Sequence, residues 1–209
     1  MTSVHYSSDR ISWDTPPDLF ERLDRVFCFT LDPCATPHNA LCQVYFTPEQ
    51  NGLAHDWSGH RVFMNPPYGR EISKWVEKAY SESLSGAIVV CLLPARTDTA
   101  WWHDFVMKGQ VVFIRGRLRF SGSAKDAPFP SAIVVFGKAS ILCRGLAEYI
   151  NGPMSPADPE PTPVASVPKP STLLSQDNNV HELAHKLNCK VHEYWARRFR
   201  GQILDPWDR

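Results

Sequence analysis

Residues 61–70 read RVFMNPPYGR, in which a short apolar run is followed by Asn65, two prolines and a tyrosine. The apolar run RVFM predicts a buried strand, which the chain leaves through Asn65 and two prolines. Pro66 and Pro67 lack an N–H and have a fixed φ, and Asn65 is pushed out of the helical region because it precedes a proline. The segment is therefore stiff. Stiffness of this kind suits either an ordinary turn or a set of polar groups held in place for chemistry.

Further strands and helices are predicted on both sides of this segment. Two helical patterns occur, PPDLFERLDRVF (16–27) and ISKWVEKAYSESL (72–84), each with apolar residues at helical spacing. The predicted strands are VFCFTLD (26–32), QVYFT (43–47), GAIVVCLLP (86–94), QVVFIRGRLRF (110–120) and SAIVVFG (131–137). Alternating strands and helices predict an α/β fold with a mostly parallel sheet covered on both faces. The last two strands leave no room for a helix between them, which predicts an antiparallel edge hairpin.

Composition limits the size of the core and the classes of partner. The chain has 209 residues, of which 43% are hydrophobic, enough for one well-packed domain. It carries 22 basic and 22 acidic residues, so a surface for nucleic acid must be a local patch. Its longest apolar run, residues 87–93, is too short to span a bilayer. The six cysteines form no C-x-x-C pair and no secretory signal is apparent, so we expect a cytoplasmic protein with reduced thiols.

A proline-rich stretch marks the end of the predicted domain. In NGPMSPADPEPTPVASVPKP (151–170), prolines recur every few residues among Ala, Ser and acids, which is typical of an extended linker. We therefore predict a domain over residues 1–147, a linker over 148–172 and a short helical tail over 173–209.

The tail contains a metal-binding pattern that we do not interpret as a metal site. His181, Glu182 and His185 match the H-E-x-x-H motif of zinc peptidases. The tail is too short for a peptidase domain, and an amphipathic helix explains the same residues. No metal is expected. Its basic end, ARRFR, would add nonspecific affinity for DNA.

The stiff segment fits methyl transfer to a planar amine. The exocyclic amine of adenine is a poor nucleophile because its lone pair is delocalised into the ring. The Asn65 side-chain oxygen and a backbone carbonyl held by Pro66 and Pro67 could accept both N–H bonds and direct the lone pair. Tyr68 offers a ring on which a base could stack. No strong general base is needed, because the nitrogen becomes acidic once it is alkylated.

An ordered series of segments around residues 11–137 resembles a known family. The segments are SWDTPPDLF, LDPCAT, VYFTPEQNGLAHDW, FMNPPYG, SKWVEKA, LLPARTDTAWWH, GRLRF and FPSAIVVF. Together they resemble the phage-type, Dam-like DNA N6-adenine methyltransferases. The resemblance implies a Rossmann-like methyltransferase fold, S-adenosylmethionine as methyl donor, DNA as partner, and Asn65, Pro66, Pro67 and Tyr68 as the catalytic tetrapeptide.

Other functions remain open because the tetrapeptide by itself is not specific. It is shared with N4-cytosine, RNA and protein amide methyltransferases. A non-catalytic DNA-binding protein that keeps the fold is a further alternative. No residue excludes cytosine by its chemistry, so adenine as acceptor follows from the resemblance alone.

Cofactor-binding residues are predicted at strand ends and from the resemblance. Asp32 and Glu49 follow strands, where carboxylates could hold the ammonium and ribose groups of the donor, although each could be an ordinary turn or helix residue. No glycine-rich loop accompanies Asp32, since Pro33, Cys34 and Ala35 follow it. The resemblance adds the remaining predicted residues, Trp13, Thr15, Pro16, Asp56, Trp57 and Asn65. In isolation, Thr15 and Pro16 would be a helix N-cap and first-turn proline.

Substrate-binding residues are predicted among the arginines. Arg115, Arg117 and Arg119 alternate with apolar residues and would share one face of a strand, suited to DNA or simply solvated. Arg96 follows a strand and is a second candidate for substrate contact. Trp101 and Trp102 are adjacent, so we expect one to be buried and the other exposed.

Overall fold

A six-stranded sheet organises the part of the chain that the computed structural model describes, residues 13–138 and 145–153. The strand order is β2-β1-β3-β4-β6-β5. Strands β1 to β4 pair in parallel, and β6 runs antiparallel to both of its neighbours, β4 and β5. The strands are β1 (Leu31–Asp32), β2 (Val44–Tyr45), β3 (Arg61–Met64), β4 (Ile88–Pro94), β5 (Gln110–Phe113) and β6 (Ser131–Phe136).

Four α-helices accompany the sheet within the described ranges: α1 (Pro17–Phe27), α2 (Ile72–Leu84), α3 (Ala100–Asp104) and α4 (Leu146–Asn151), with short 3-10 helices at Gly52–Ala54 and Val106–Lys108. Helix α1 has a proline at its first position and buries Leu19, Leu23 and Val26, as its pattern predicts. Helix α2 has the bounds predicted for it and buries Ile72, Val76 and Ala79.

The sheet is covered on both faces. Val62 and Phe63 are consecutive in β3 and therefore point to opposite faces, yet both are fully buried. Phe20 of α1 packs against Phe63, and Tyr80 of α2 packs against Phe136 of β6. The predicted α/β fold, mostly parallel with an antiparallel edge, is thus confirmed.

The loops that follow the parallel strands meet at one edge of the sheet, here called the carboxyl edge. Met64 pairs with Cys91, and Pro94 pairs with Ser131, so the end of β3, the end of β4 and the start of β6 lie together there. Residues 114–130 connect β5 to β6 and also lie at this edge. Strand β6 lies between β4 and β5 in the sheet. The antiparallel strands β5 and β6 are joined by this long connection and not by a tight turn.

Two predicted strands are wrong in their bounds. VFCFTLD begins inside α1, which continues to Phe27 and ends with Cys28 in the left-handed conformation, so β1 is only two residues long. QVVFIRGRLRF leaves the sheet after Phe113, and Gly116 has a φ of 82° that extended strand backbone does not adopt.

The packed unit extends past residue 147. Leu146, Tyr149 and Ile150 of α4 are buried, and Arg22 of α1 donates hydrogen bonds to the Tyr149 and Gly152 carbonyl oxygens at 2.9 and 2.8 Å. We therefore move the proposed end of the domain to Gly152 or beyond. Most of the predicted linker, the tail and its H-E-x-x-H stretch lie outside the described residues.

Four cysteines of the described region, Cys28, Cys34, Cys42 and Cys91, are free thiols. No group of three or more His, Cys, Asp or Glu side chains that could hold a metal ion occurs within the ranges that the structure describes. No helix in those ranges has the length and hydropathy needed to cross a membrane.

Candidate active site

Asn65 lies one residue past β3 at the carboxyl edge, and its amide is held by a segment from the start of the described chain. Its Nδ2 donates to the Trp13 carbonyl oxygen at 2.6 Å and to Thr15 Oγ1 at 2.9 Å. A carbonyl oxygen can only accept, so the amide nitrogen must face Trp13. The orientation of the Asn65 side chain is thereby fixed, with its oxygen directed away from residues 13–16, which we call the strap.

The Asn65 oxygen is a buried acceptor without a donor. Asn65 Oδ1 has no hydrogen-bond partner among the residues that the structure describes. The Pro66 carbonyl likewise accepts no hydrogen bond from the described residues. Buried acceptors are nearly always bonded, and each exception needs an explanation. Two free acceptors on a stiff turn form a site that can receive two N–H donors.

Tyr68 lies beneath an aromatic cluster. Its ring is 6% exposed, and its hydroxyl donates to the Leu92 carbonyl oxygen at 3.1 Å. Phe120 and Phe129, from the β5–β6 connection, pack edge-to-face on Tyr68 with centroids at 6.2 and 5.6 Å, and both also pack on Trp13. Stacking of a base on Tyr68, which stays a prediction, therefore requires these two rings to move aside.

Arg96, which follows β4, lies near enough to Tyr68 for its charge to act on that side chain, and its contact with substrate stays a prediction. Burial raises the pKa of the Tyr68 hydroxyl well above its usual value, and the nearby charge of Arg96 offsets part of this shift. The prediction that one of Trp101 and Trp102 is exposed is wrong. Both are buried in the core cluster, and Trp102 also stacks on Phe113 of β5.

Asp32 ends β1 at the carboxyl edge and is 5% exposed. Its two carboxylate oxygens accept hydrogen bonds from the backbone N–H groups of Cys34 and Leu41, at 3.2 and 3.4 Å. Desolvation raises the pKa of Asp32 from 3.8 to about 6, although these two hydrogen bonds lower it. A cation arriving at Asp32 would relieve this penalty, so the site suits an ammonium group.

Gly52 allows a close approach beside Asp32. A Cβ atom placed on Gly52 would lie 2.1 Å from the Pro33 carbonyl oxygen. The loop that contains Gly52 can therefore pack against the segment after β1 only because position 52 has no side chain.

Glu49 is exposed in a turn after β2, the strand next to β1, so the two predicted carboxylates end neighbouring strands. A hydrogen bond involving Thr47 lowers the pKa of Glu49, which keeps its carboxylate charged. The alternative of a first-turn helix residue is wrong, because residues 48–50 form a turn and not a helix.

Of the predicted pair Asp56 and Trp57, only the Trp57 indole reaches the loop beside Asp32. The Trp57 backbone N–H donates to Glu82 near the end of α2, and that end precedes the start of β4 at the opposite edge of the sheet. The Trp57 ring is fully buried, and its Nε1 donates to the Gly52 carbonyl oxygen at 3.0 Å. Asp56 is exposed and bonds Ser58. Trp57 presents no open ring face to a ligand in this conformation.

The strap joins three parts of the carboxyl edge. Besides holding Asn65, it receives hydrogen bonds from Ser121, whose N–H donates to the Asp14 carbonyl at 2.9 Å and whose Oγ donates to the Thr15 carbonyl at 3.1 Å. Asn39, in the loop after β1, donates to Asp14 Oδ1 at 2.7 Å. The N-cap interpretation of Thr15 is wrong, because Pro16 occupies that position and the Thr15 hydroxyl bonds Asn65 instead.

The arginines predicted for one face of a strand lie in a loop. Residues 114–130, here called the basic loop, contain three arginines and one lysine against a single aspartate. The single-face prediction is wrong because the strand ends at Phe113. Arg115, Arg117 and Arg119 are all exposed, and Arg119 pairs with Asp126 at 3.0 Å. Arg115 and Arg117 have no acidic partner among the described residues.

Sequence reasoning missed four residues of this region: Arg70, Phe120, Ser121 and Phe129. Arg70 directly follows the tetrapeptide and its glycine, is exposed, and stands beside a glutamate that is already paired with Lys74. Its position after FMNPPYG was a signal for it. No signal in the sequence pointed to the other three, since their roles depend on contacts with the distant strap.

A profile of the family described as DNA N-6-adenine-methyltransferase (Dam) matches residues 2–151. The chain belongs to the Dam family. The Dam match ends at Asn151, the last residue of α4, which agrees with the packed unit extending past residue 147. Membership confirms the resemblance and accounts for the mostly parallel sheet with its antiparallel edge.

Two phage proteins, each named DNA N-6-adenine-methyltransferase, are similar to this Dam-family chain. The protein of Haemophilus phage HP1 is 38% identical over 111 residues, which is 51% of this chain and 64% of that protein. The protein of Escherichia phage T1 is 33% identical over 94 residues, or 44% of this chain and 39% of that protein. The chain thus covers less than two thirds of either relative.

Proposed function

We propose that this Dam-family chain transfers a methyl group from S-adenosylmethionine to N6 of an adenine in DNA. The observation that carries the proposal is Asn65 Oδ1, a buried acceptor with no donor in the part of the chain that the structure describes, on an amide whose nitrogen is held by the strap. Family membership and the names of the two phage relatives support adenine in DNA as the acceptor.

The chain's own groups would prepare the amine for attack. Asn65 Oδ1 would accept one N–H of the amine, and the Pro66 carbonyl oxygen would accept the other. Both acceptors are fixed before the substrate arrives, because Pro66 and Pro67 restrict the backbone and two hydrogen bonds hold the Asn65 amide. Polarising both N–H bonds makes the amine lone pair more available. This compensates for the low nucleophilicity of an aromatic amine.

The donor fits the remaining part of the carboxyl edge. S-adenosylmethionine supplies an electrophilic methyl group on a sulfonium centre. Asp32, buried with an unfavourable charge, would hold its ammonium group, and Glu49 at the end of the neighbouring strand would hold its ribose hydroxyls. The strap bonds Asn65 and, through Asp14, also bonds Asn39 in the loop that follows β1 and Asp32. The fully buried Trp57 bonds Gly52 of the loop beside Asp32, so we propose that it supports this loop without touching the donor, while Asp56 is exposed and bonds Ser58.

The proposed DNA surface combines the basic loop with Arg70 and Arg96. These arginines follow β3, β4 and β5, so they border the same edge as Asn65. The net charge of the whole chain is zero, which makes this local excess of positive charge a specific feature of the edge. The target base must leave the DNA double helix to reach Asn65. By stacking on Tyr68, the base would displace the Phe120 and Phe129 rings, which now pack there.

Removing an arginine from the basic loop should weaken DNA binding. The effect should be larger for an arginine that has no acidic partner among the described residues. We expect Arg115→Ala and Arg117→Ala each to raise the Kd for DNA and to lower the salt-dependence slope by about 1. Arg119→Ala should have a smaller effect, because Asp126 already partly neutralises Arg119. Lys138→Ala is the matched control, since Lys138 is exposed beyond the end of β6, at the opposite edge.

Fluorescence anisotropy with a labelled duplex at several salt concentrations measures these effects. Equal slopes for all four variants would show that the basic loop does not carry the DNA contact.

The reaction itself is tested with labelled S-adenosylmethionine and unmethylated DNA. Digestion of the product to nucleosides should yield N6-methyladenine, and the Asn65→Ala variant should yield none. Recovery of N4-methylcytosine would assign the cytosine alternative, and label in RNA or protein would assign an amide or RNA acceptor. DNA binding without label in any acceptor would favour a non-catalytic role.

The acceptor also determines where the protein would act. Because bacterial and phage DNA lie in the cytoplasm, we propose that the protein works there, in the host cell if a phage encodes it. Detection of N6-methyladenine in the DNA of cells that express the chain would support this location.

A further inference from the structure

Thr15 makes a contact that neither its helix position nor donor binding requires. Its hydroxyl accepts a hydrogen bond from Asn65 Nδ2 at 2.9 Å, across 50 residues of sequence. Thr15 is 7% exposed, so its hydroxyl is shielded from water that could replace this partner. The residue resembles a cofactor-binding position of the family, yet its polar group is directed to the predicted catalytic side chain.

The two bonds to Asn65 have different physical effects. The Trp13 carbonyl determines which end of the amide faces the strap, because it accepts and cannot donate. One hydrogen bond still leaves the amide free to rotate about it. The second bond, to the Thr15 hydroxyl, fixes the plane of the amide and hence the direction of the Asn65 Oδ1 lone pairs. That direction determines whether an N–H of the amine to be methylated can form a straight hydrogen bond to Asn65 Oδ1.

The strap is itself held on its other side. Ser121 of the basic loop donates through its N–H to the Asp14 carbonyl and through its Oγ to the Thr15 carbonyl. Thr15 is therefore bonded at its side chain to Asn65 and at its backbone to the loop proposed to contact DNA. If the basic loop moves, Ser121 would move Thr15 with it, and the shift of Thr15 would change the orientation of the Asn65 amide.

We propose that Thr15 is a positioning residue that sets the plane of the Asn65 amide, with Ser121 holding Thr15 in place from the basic loop. The proposal rests on the proposed function, in which Asn65 Oδ1 is the acceptor. It assigns to Thr15 an effect on turnover and not on donor affinity.

Side-chain amide NMR tests the contact without any activity. In ¹⁵N-labelled full-length protein, the Asn65 side-chain resonances are identified by their loss in Asn65→Ala. Thr15→Val, which keeps the shape but lacks the hydroxyl, should shift these resonances and speed their exchange with water. Thr15→Ser should restore both, and Ser121→Ala should shift them in the same direction by less. Unchanged Asn65 resonances in Thr15→Val would overturn the proposal.

Kinetics separate positioning from donor binding. Loss of one hydrogen bond should lower kcat of Thr15→Val by about three- to tenfold, with the KM for donor unchanged and with recovery in Thr15→Ser. A raised KM for donor at unchanged kcat would assign Thr15 to the donor site and overturn the proposal. If the wild-type protein methylates nothing, the proposed function fails while the amide resonances still decide the role of Thr15. If Thr15→Val does not fold, Ser121→Ala carries the same comparison, with wild type and Thr15→Ser as references, and unchanged Asn65 resonances and kcat in Ser121→Ala would overturn the proposal.

Discussion

Asn65→Ala should reduce methyl transfer by at least about 10²- to 10³-fold, the usual effect of removing one preorganised hydrogen-bonding group at a reacting centre. The variant also loses the two hydrogen bonds that Asn65 Nδ2 donates to the strap, so a loss of about 1–3 kcal/mol of stability should accompany the loss of activity. Donor binding should be nearly unchanged, because the proposed donor carboxylates lie on β1 and after β2. Single-turnover kinetics measures the first effect and calorimetry with donor measures the second.

Asn65→Gln is the matched control for this result. Glutamine keeps the same amide but lengthens the side chain by one methylene. Its oxygen would therefore lie too far from its normal position to bind the amine together with the Pro66 carbonyl oxygen. We expect a loss close to that of alanine, since catalysis depends on the position of the acceptor and not merely on its presence. Near-normal turnover in either variant, with the protein folded, would contradict the proposed role of Asn65.

Asp32→Asn should weaken donor binding while stabilising the donor-free protein. Hydrogen-bonded charge pairs contribute more than neutral ones, so we expect the donor Kd to rise by about 10- to 100-fold. In the wild type, donor binding should strengthen as pH rises through about 6, where Asp32 becomes charged. The asparagine variant should lack this pH dependence. Calorimetric titrations between pH 5 and pH 8 would measure both effects, with the exposed Asp104→Asn as control.

The stability effect follows from the direction of the Asp32 pKa shift. Burial raises the pKa in the folded protein from 3.8 to about 6, so between these values the folded state holds a proton that the unfolded chain has lost. Stability therefore falls as pH rises through this window, and above it the cost approaches about 3 kcal/mol for a shift of about two pKa units.

Removing the Asp32 charge should accordingly raise the Tm at pH 8 and leave it nearly unchanged below pH 4. The gain will be less than the full cost, because an amide has one acceptor oxygen for the two N–H groups that Asp32 now bonds. A lower Tm for Asp32→Asn at pH 8 would show that the carboxylate is structural and not reserved for a cation.

Asp32 and Asn65 are proposed to bind different substrates, the methyl donor and the acceptor amine. Asp32 carries an unfavourable buried charge, and Asn65 carries an unbonded buried acceptor. Each is a local defect in the folded protein that a ligand would repair, the first by a positive charge and the second by an N–H donor. Defects of this kind are expected at functional sites, where stability is given up for preorganisation.

The sequence alone determined the elements that depend on neighbouring residues. The apolar spacing of α1 and α2 fixed their bounds and buried faces, because a helix repeats every few residues. The stiffness of Asn65, Pro66 and Pro67 likewise followed from restrictions within each dipeptide. The order of strands and helices then sufficed for the α/β class and for placing Asp32, Asn65 and Arg96 at strand ends.

How these groups meet depends on contacts that exist only in the folded protein. The orientation of the Asn65 amide depends on Trp13 and Thr15, about 50 residues earlier, and the strap depends in turn on Ser121. No local pattern encodes such contacts, since they arise from packing between segments that are distant in sequence. The same reason explains why the alternation after Phe113 predicts a strand for arginines that lie in a loop. A hydrogen bond between segments that are distant in sequence is a consequence of the whole fold, and local propensity could not reveal it.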